Sequence, residues 1–286
     1  MPENNYFSAT KTMHEIEINE IRRLTKIIQD NYGFDFKDYA ISSFRRRISR
    51  IIDLYKFKSV DALINRLNSQ PEFFEEFLSE ITVNVTEMYR DPSFWKEIRD
   101  HVIPQILLNN NKLSIWHAGC SSGEEVYSMC ILLEEMGLLD KANVIATDID
   151  TAIISRAKQG KISKKNMVLN DKNYHRFGGN SSLDKYFDED RESYTLKSDL
   201  LNKVSFRKHD LVKGFVFSKF DLVLCRNVMI YFNQTLQNNV LYKLHESLFK
   251  YGYLAIGSKE SLIWCDIANK FLVVNNEEKI YRKIKE

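Results

Sequence analysis

The stretch HAGCSSGEEVYS (117–128) places two glycines and two adjacent carboxylates between an apolar run and an amphipathic run. Gly119 and Gly123 can adopt backbone angles that are closed to other residues, so the chain can pass close to a ligand. Glu124 and Glu125 would repel a phosphate, and the G-x-x-x-G spacing differs from the G-x-G-x-x-G of dinucleotide sites. An acidic glycine turn of this kind suits a ligand that carries positive charge.

S-adenosylmethionine fits such a turn, because it carries a sulfonium and an ammonium group and no phosphate. The alternative is structural: the two carboxylates only complement the dipole of a helix that begins here. In either case Ser121 and Ser122 are expected to cap that helix by accepting its free N–H groups. This stretch alone leaves both interpretations open.

Polar residues also follow three further apolar runs. Asp148 ends one of them, where an acidic residue can accept both hydroxyls of a ribose. His209 and Asp210 end the next, and Arg226 and Asn227 end a third. One such residue would be an ordinary loop residue. Four polar strand ends at one edge of a sheet instead indicate a nucleoside-binding domain without a phosphate site.

The chain must supply a sheet that brings these ends together. Short apolar runs that stop at glycine or polar residues predict buried strands, with helical patterns between them. Strands that alternate with helices indicate an α/β fold with a mostly parallel sheet. The segment FLVVNNEEKIYRKI (271–284) predicts an antiparallel hairpin at the C-terminal edge. The predicted strands lie at 113–119, 143–150, 203–210, 220–227 and 252–258, and the helices at 124–136, 151–159 and 234–249.

Before about residue 110 the apolar residues recur at helical spacing, with no convincing strand. We therefore expect a small all-helical domain at 8–80, a linker and helix at 81–110 that contribute to the cofactor site, and a sheet domain at 111–286. Within the sheet domain, residues 161–202 fit neither pattern. They predict an inserted small β-subdomain.

Composition excludes several classes of protein. The 286 residues include 41 basic and 39 acidic side chains, a balance too even for bulk nucleic-acid binding. No apolar run approaches the roughly 20 residues that span a bilayer, and the polar N-terminal stretch lacks the apolar core of a signal peptide. We expect a cytoplasmic monomer with no membrane insertion. The four cysteines form no C-x-x-C pair, so we expect no metal site and no disulfide.

Four motifs in order carry a family resemblance: NVTEMYRDPSFW (84–95), HAGCSSGEEVYS (117–128), ATDID (146–150) and LCRNVMIYF (224–232). The chain resembles the chemotaxis receptor methyltransferases, the CheR family, over nearly its whole length. The resemblance implies a Rossmann-like methyltransferase sheet. It also implies methyl transfer from S-adenosylmethionine to the γ-carboxylate of particular glutamates on chemoreceptors, for sensory adaptation. The products would be glutamyl methyl esters and S-adenosylhomocysteine.

The resemblance also implies site residues. From side-chain chemistry rather than from the resemblance, we expect Arg90 and Tyr231 to orient the incoming carboxylate and the methionine end of the cofactor. A guanidinium can hold a carboxylate through two hydrogen bonds, and a tyrosine offers one hydroxyl donor. The alternatives are a surface salt bridge between Arg90 and Asp91, and core packing of Tyr231. The family often has a histidine or similar residue in the stretch GSKES (257–261), so the role of Ser258 and Lys259 is open. With Gly119 of the turn, the residues implied to line the cofactor site are Asn84, Thr86, Arg90, Glu124, Asp148, Asp210, Leu211, Arg226 and Asn227.

The protein substrate is expected to meet a basic helix that carries Arg45, Arg46, Arg47 and Arg50. Arg46 and Arg50 are one turn apart and share a face, which suits the cytoplasmic helices of a chemoreceptor. A merely solvated face is the alternative. In some family members the insertion, around 183–198 here, binds a tether peptide at the receptor's C-terminus; ordinary surface strands are the alternative.

Two rival functions have weaker support. Amino-methylating nucleic-acid methyltransferases carry a D/N-P-P-Y/F motif after the fourth strand, which holds a flipped-out base. Here that position reads RNVMIYF, without a proline pair. A non-catalytic signalling domain would be expected to lose Arg90, Asp148 or the GEE turn, and all are present.

Overall fold

The computed structural model describes residues 16–82 and 86–285 of the chain. They form two compact units that divide between Ile81 and Thr82. Each unit has its own buried apolar core. The three-part domain division predicted from the sequence remains a prediction. No helix in these two stretches is both long and apolar enough to cross a membrane.

The first unit is helical, as predicted. Apolar residues at helical spacing give each helix one buried stripe, and these stripes pack into a shared core. Ser59 caps the third helix by accepting a hydrogen bond from the Ala62 backbone N–H at 3.2 Å. Gly33 ends the first helix in the left-handed conformation, with a φ of 75°. The helices are α1 (Ile18–Tyr32), α2 (Ile41–Tyr55), α3 (Val60–Ser69) and α4 (Phe73–Ile81).

The second unit is built on a seven-stranded sheet of order β6-β2-β1-β7-β8-β10-β9. The first five strands in this order run parallel, and β10 lies antiparallel between β8 and β9. This confirms the predicted α/β fold class and the C-terminal hairpin. The strands are β1 (Leu113–Ala118), β2 (Ala142–Asp148), β6 (Val204–Lys208), β7 (Phe220–Cys225), β8 (Leu248–Ile256), β9 (Phe271–Asn275) and β10 (Ile280–Lys283).

Helices cover the sheet. The predicted end of the helix at 234–249 and the predicted start of the strand at 252–258 are both wrong. The predicted helix 234–249 ends at Glu246, because Leu248 already begins β8 and pairs with Phe220 of β7. A π-helical segment, Ile98–Val102, joins the first two helices of this unit into one rod. The helices outside the insertion are α5 (Pro92–Glu97), α6 (Ile103–Leu107), α7 (Glu124–Glu135), α8 (Thr151–Ala157) and α11 (Gln234–Glu246).

The insertion contains the expected antiparallel ribbon and an unexpected helix. Its strands form a separate sheet of order β3-β5-β4. The helix α9 (Lys164–Phe177) was not predicted, because two asparagines interrupt the apolar residues of its buried stripe. The remaining elements of the insertion are β3 (Lys161–Ser163), β4 (Phe187–Glu189), β5 (Ser193–Leu196) and α10 (Ser198–Leu201).

This topology fixes where a ligand can bind. From β1 the chain order proceeds through β2 and β6 on one side, and from β7 to β8 on the other. The strand order therefore reverses between β1 and β7. In open α/β sheets the ligand crevice lies beyond the carboxyl ends of the strands at such a reversal. The predicted site residues that follow β1, β2, β6 and β7 all lie at this edge, which we call the carboxyl edge.

Candidate active site

The turn after β1 is bent tightly against its neighbours. The backbone N–H groups of Gly119 and Cys120 both donate to the Thr147 carbonyl, at 2.8 and 2.9 Å. Gly119 has a φ of 84°, and a Cβ atom there would lie 2.6 Å from Cγ2 of Val228. A larger residue would therefore collide with the loop that follows β7. The glycine allows the β1 turn and the β7 loop to meet at the carboxyl edge.

Asp148 lies buried at the end of β2, beside this turn. Its Oδ2 accepts a hydrogen bond from the Ser121 backbone N–H at 2.9 Å, and its Oδ1 accepts one from the Asp150 N–H at 3.2 Å. Burial raises the pKa of the Asp148 carboxyl, although these hydrogen bonds act to lower it. A carboxylate oxygen can accept more than one hydrogen bond. Both oxygens are thus oriented and still able to accept hydroxyl groups.

The two adjacent glutamates of the turn have different surroundings. Glu124 is buried, and its Oε2 accepts a hydrogen bond from the Ser122 hydroxyl at 2.6 Å. Burial raises the pKa of Glu124. The expected serine caps are absent, because α7 has Gly123 at its N-cap and neither serine side chain bonds there. Ser122 instead orients a carboxylate that can face a cation.

Glu125 belongs to an internal ion network with His117, Arg226 and Asp91, which we call the Arg226 network. Glu125 Oε1 lies 2.9 Å from His117 Nδ1, and its Oε2 accepts from Arg226 Nη1 at 3.2 Å. Arg226 Nη2 donates to Asp91 Oδ2 at 2.6 Å. The guanidinium also lies over the Phe94 ring, 3.9 Å from its centre. Burial acts to raise the pKa of Glu125, but His117 and Arg226 outweigh it and leave that pKa lowered.

Arg226 therefore differs from what its position suggested. Its side chain is only 2% exposed, and its charge is shared between two carboxylates of the protein. This arrangement ties the loop after β7 to the start of α7 and to the N-cap of α5. Its predicted contact with the cofactor stays a prediction. The geometry shows a residue that positions two neighbouring segments.

Glu260 joins the loops after β7 and β8, a contact that was not predicted from the sequence. The buried carboxylate of Glu260 accepts hydrogen bonds from the backbone N–H groups of Gly257, Asn227 and Ile230, the last two at 3.1 Å. Asn227 is half-buried with a φ of 61°. Tyr231 follows in the same loop and is also half-buried. The signal was the acidic residue in GSKES, directly after a predicted strand.

Hydrogen bonds to the side chain of Asp210 and from Lys243 on α11 hold the loop after β6 in place. Asp210 Oδ1 accepts hydrogen bonds from the backbone N–H groups of Val212 and Lys213, at 2.7 and 3.2 Å. Lys243 donates from α11 to the Leu211 carbonyl at 3.2 Å. Leu211 is buried, and Asp210 is half-buried. These two predicted site residues thus lie on an ordered loop at the carboxyl edge.

Arg90 stands in a segment that α7 and α9 hold in place. The Met88 backbone N–H donates to Asn170 Oδ1, and Asn173 Nδ2 donates to the Met88 carbonyl, both at 3.1 Å. The Tyr89 N–H donates to the Ser128 hydroxyl oxygen at 2.9 Å. These three bonds fix the residues just before Arg90.

Arg90 does not pair with its neighbour Asp91. Arg90 is half-buried and forms no ion pair within residues 16–82 and 86–285. The alternative of a salt bridge between Arg90 and Asp91 is not what the structure shows, since Asp91 pairs with Arg226. Thr86 lies nearby in the chain and is half-buried, whereas Asn84 lies outside the described residues.

The four arginines of the basic helix α2 differ in their exposure to solvent. Arg46 and Arg50 are exposed, and Arg50 lies 3.6 Å from the Glu80 carboxylate. Arg45 is half-buried. Arg47 corrects the prediction: it is 5% exposed, and its Nη1 donates to the Ile81 carbonyl at the end of α4. Arg47 is therefore a structural residue of the helical unit, and the exposed basic face consists of Arg46 and Arg50.

The described residues fit the cofactor predicted from the sequence. Two oriented carboxylates, Asp148 and Glu124, lie at the carboxyl edge, and the glycine turn joins them. This donor set suits hydroxyl groups and a cation. In the described part of the chain, no group of three or more histidines, cysteines or acids could hold a metal ion.

Comparison with known proteins shows to which family the chain belongs. A model described as the CheR methyltransferase S-adenosylmethionine-binding domain matches residues 84–280, and one described as the CheR all-alpha domain matches residues 19–82. The chain belongs to the CheR methyltransferase family. It is thus an S-adenosylmethionine-dependent methyltransferase, and the predicted family, enzyme class and cofactor are confirmed.

Relatives of similar length support the CheR assignment. A Pseudomonas putida protein, named provisionally as the methyltransferase Cher3, is 39% identical over 264 residues, which cover 92% of this chain and 96% of that protein. The chemotaxis protein methyltransferase of Borreliella burgdorferi is 31% identical and covers 85% and 88%. That of Listeria innocua is 30% identical and covers 84% and 88%.

Proposed function

We propose that this CheR protein methylates the γ-carboxylates of particular glutamates on the cytoplasmic helices of chemoreceptors. The products are glutamyl methyl esters and S-adenosylhomocysteine, and the modification serves sensory adaptation. The observation that carries the proposal is the match of both CheR domains in order along the chain. The names of the Borreliella and Listeria relatives support a chemotaxis substrate.

Carboxylates of the turn and of β2 would hold the cofactor. Asp148 would accept hydrogen bonds from the ribose hydroxyls, and Glu124 would neutralise the ammonium group. The backbone at Gly119, the loop at Asp210 and Leu211, and Asn227 would complete the site, with Asn84, Thr86 and Arg90 from the segment before α5. When bound, S-adenosylmethionine supplies a methyl group made electrophilic by its sulfonium.

The acceptor needs no general base. A glutamate has an ordinary pKa of about 4.3, so its carboxylate is already ionised at neutral pH. The protein's contribution is then alignment, which can supply on the order of 7–11 kcal/mol in favourable cases. We assign the alignment to Arg90, whose planar guanidinium can hold a carboxylate through two hydrogen bonds. Tyr231 would add one hydroxyl donor.

The Arg226 network supports this alignment indirectly. Asp91 directly follows Arg90 in the chain and is fixed by the 2.6 Å bond to Arg226. If Asp91 were free, it would compete with the substrate carboxylate for Arg90. Pairing Asp91 with Arg226 leaves Arg90 for the substrate. Arg226 is in this sense a positioning residue.

The test is to incubate the purified protein with methyl-labelled S-adenosylmethionine and membranes that carry chemoreceptors from the same cell. We expect label on the receptor that alkali releases as methanol, the signature of a carboxyl methyl ester. Receptors whose methylated glutamates are replaced by alanine should stay unlabelled, and so should a reaction with the Arg90→Ala protein. Cofactor binding without alkali-labile label on any receptor would overturn the proposal.

A further inference from the structure

The loop after β8, residues 258–267, presents a tryptophan to solvent. Trp264 is 80% exposed and Ile263 is 69% exposed. The other two tryptophans of the chain, Trp95 and Trp116, are fully buried. Tryptophan is enriched at protein interfaces because one rigid side chain buries a large area there. An indole exposed beside an apolar neighbour is therefore a candidate contact residue.

The backbone around this indole is fixed rather than loose. Gln234 Nε2 donates to the Trp264 carbonyl at 3.2 Å, and Asn238 Nδ2 donates to Asp266 Oδ2 at 3.0 Å. Gln234 and Asn238 are one turn apart on α11. Within the loop, the Cys265 N–H donates to the Leu262 carbonyl at 2.9 Å. A loop whose backbone is fixed in this way loses little backbone conformational entropy when a partner covers it.

The same loop is part of the proposed active site. Glu260 binds the backbone of Asn227 and Ile230, in the loop that carries Tyr231. Because β8 runs parallel to β7, residues 258–267 leave the sheet at the carboxyl edge, where the methyl acceptor must arrive. Lys259 is exposed here and has no ion pair in the described part of the chain. An acidic protein surface would complement it.

We propose that Trp264, with Ile263, is an anchor that packs against the chemoreceptor helix beside the glutamate to be methylated. The inference rests on the proposed function, because it takes the acceptor to be a side chain of a folded helix. Such an acceptor brings its neighbouring residues to the carboxyl edge with it. A few buried aromatic anchors commonly carry most of the affinity of such contacts.

The kinetic test compares Trp264→Ala with Leu108→Ala. Leu108 is 72% exposed but follows α6 and precedes β1, at the opposite edge of the sheet. We expect Trp264→Ala to lower kcat/KM for the receptor on the order of tenfold, and to change the affinity for S-adenosylmethionine less than about twofold. Leu108→Ala should change neither. If Trp264→Ala left the receptor kcat/KM unchanged, or lowered the cofactor affinity equally, the proposed receptor contact of Trp264 would be wrong.

A direct binding test uses fluorescence quenching. Trp264 should supply nearly all of the emission that acrylamide can quench, and a saturating receptor fragment should protect it. Trp264→Phe, which keeps an aromatic ring, should lose the quenchable emission and retain most of the receptor kcat/KM. Quenching that the bound receptor leaves unchanged contradicts the proposal.

The two proposals fail separately. Alkali-labile label from both the wild-type and Trp264→Ala proteins at equal kcat/KM would remove the anchor and leave the function standing. If the wild-type protein formed no methyl ester on any receptor, both the proposed receptor methylation and the proposed contact of Trp264 with a receptor helix would be wrong.

Discussion

At the residue scale, adjacent carboxylates of the GEE turn have opposite electrostatic surroundings. Glu125 lies against His117 and Arg226, and its pKa is lowered. Glu124 forms no ion pair within residues 16–82 and 86–285, and burial raises its pKa although the charge of Arg156 acts to lower it. The sequence predicted an acidic turn but could not distinguish the two side chains, since their directions depend on where α7 begins. Of the two, Glu124 is the one proposed to face the cationic end of the cofactor.

The raised pKa values of Glu124 and Asp148 predict how cofactor affinity depends on pH. Both carboxylates gain protons at a higher pH than ordinary acids, so affinity should fall as pH is lowered from neutral through their pKa values and level off above them. Glu124→Gln should weaken binding at neutral pH and flatten this dependence. Titration calorimetry at several pH values measures it, with Glu134→Gln, exposed on α7, as the control. An unaltered profile in Glu124→Gln would contradict the assignment.

The buried charge of Arg226 stabilises the fold through its ion pairs with Asp91 and Glu125. Removing it leaves Asp91 without its cation and Glu125 with His117 as its remaining partner, and breaking a buried ion pair costs about 3–5 kcal/mol. Since Asp91 is 34% exposed and can regain water, we expect Arg226→Met to lower the free energy of unfolding by about 2–4 kcal/mol.

Arg207→Met provides the matched control for this loss, because Arg207 is exposed. It should change stability by less than about 0.5 kcal/mol. All three tryptophans lie in the unit after Ile81, so fluorescence during denaturation by urea reports on that unit. Equal stabilities of the two variants would show that the Arg226 network contributes nothing.

At the element scale, α9 shows why a helix can escape prediction. Its buried stripe is formed by Met167, Asn170, Asn173, Tyr174 and Phe177. The spacing is helical, but two of the five positions are polar. The asparagines are buried because they bind the backbone of Met88, a contact that the sequence does not reveal. Asn170 and Asn173, which interrupt the apolar pattern of α9 in the sequence, are also the residues that fix the segment before Arg90.

This contact predicts a positioning role for α9. Asn173→Ala removes the donor to the Met88 carbonyl and should let Arg90 move from its aligned position. We expect kcat to fall on the order of tenfold to a hundredfold, as small misplacements of aligned groups can do. Receptor methylation at saturating cofactor measures this, and Asn166→Ala, at an exposed position of α9, should be neutral.

A purely structural role for Asn173 would look different. Stability would then fall while kcat of the folded enzyme stayed normal. Arg90→Ala gives the reference: if Arg90 and Asn173 act together, adding Asn173→Ala to Arg90→Ala should cause little further loss.

At the scale of the whole molecule, the sequence predicted the sheet because alternating apolar runs and helical patterns report fold class directly. It also predicted which residues follow the strands at the carboxyl edge. It could not predict which way a side chain faces once the helices pack. Arg47 points into the helical unit and Arg226 into the sheet unit, although both resemble surface charges in the sequence. Packing between distant segments decides such cases.

The exposed basic face of α2 predicts a salt-dependent contact with the receptor. Arg46 and Arg50 are exposed one turn apart on α2 and suit an acidic receptor helix. Arg46→Ala/Arg50→Ala should raise the receptor KM about tenfold at low salt and leave cofactor affinity unchanged. Added salt should shrink the difference, since the screening length falls from about 10 Å at 0.1 M to about 3 Å at 1 M.

Arg22→Ala/Lys26→Ala is the matched control for the basic face. It removes two exposed cations at the same spacing from α1 of the same unit. If net charge alone attracted the receptor, both double variants would raise the KM equally. A specific basic face requires a larger effect at Arg46 and Arg50. Arg47→Ala should instead destabilise the helical unit, because Arg47 bonds the end of α4 from a buried position.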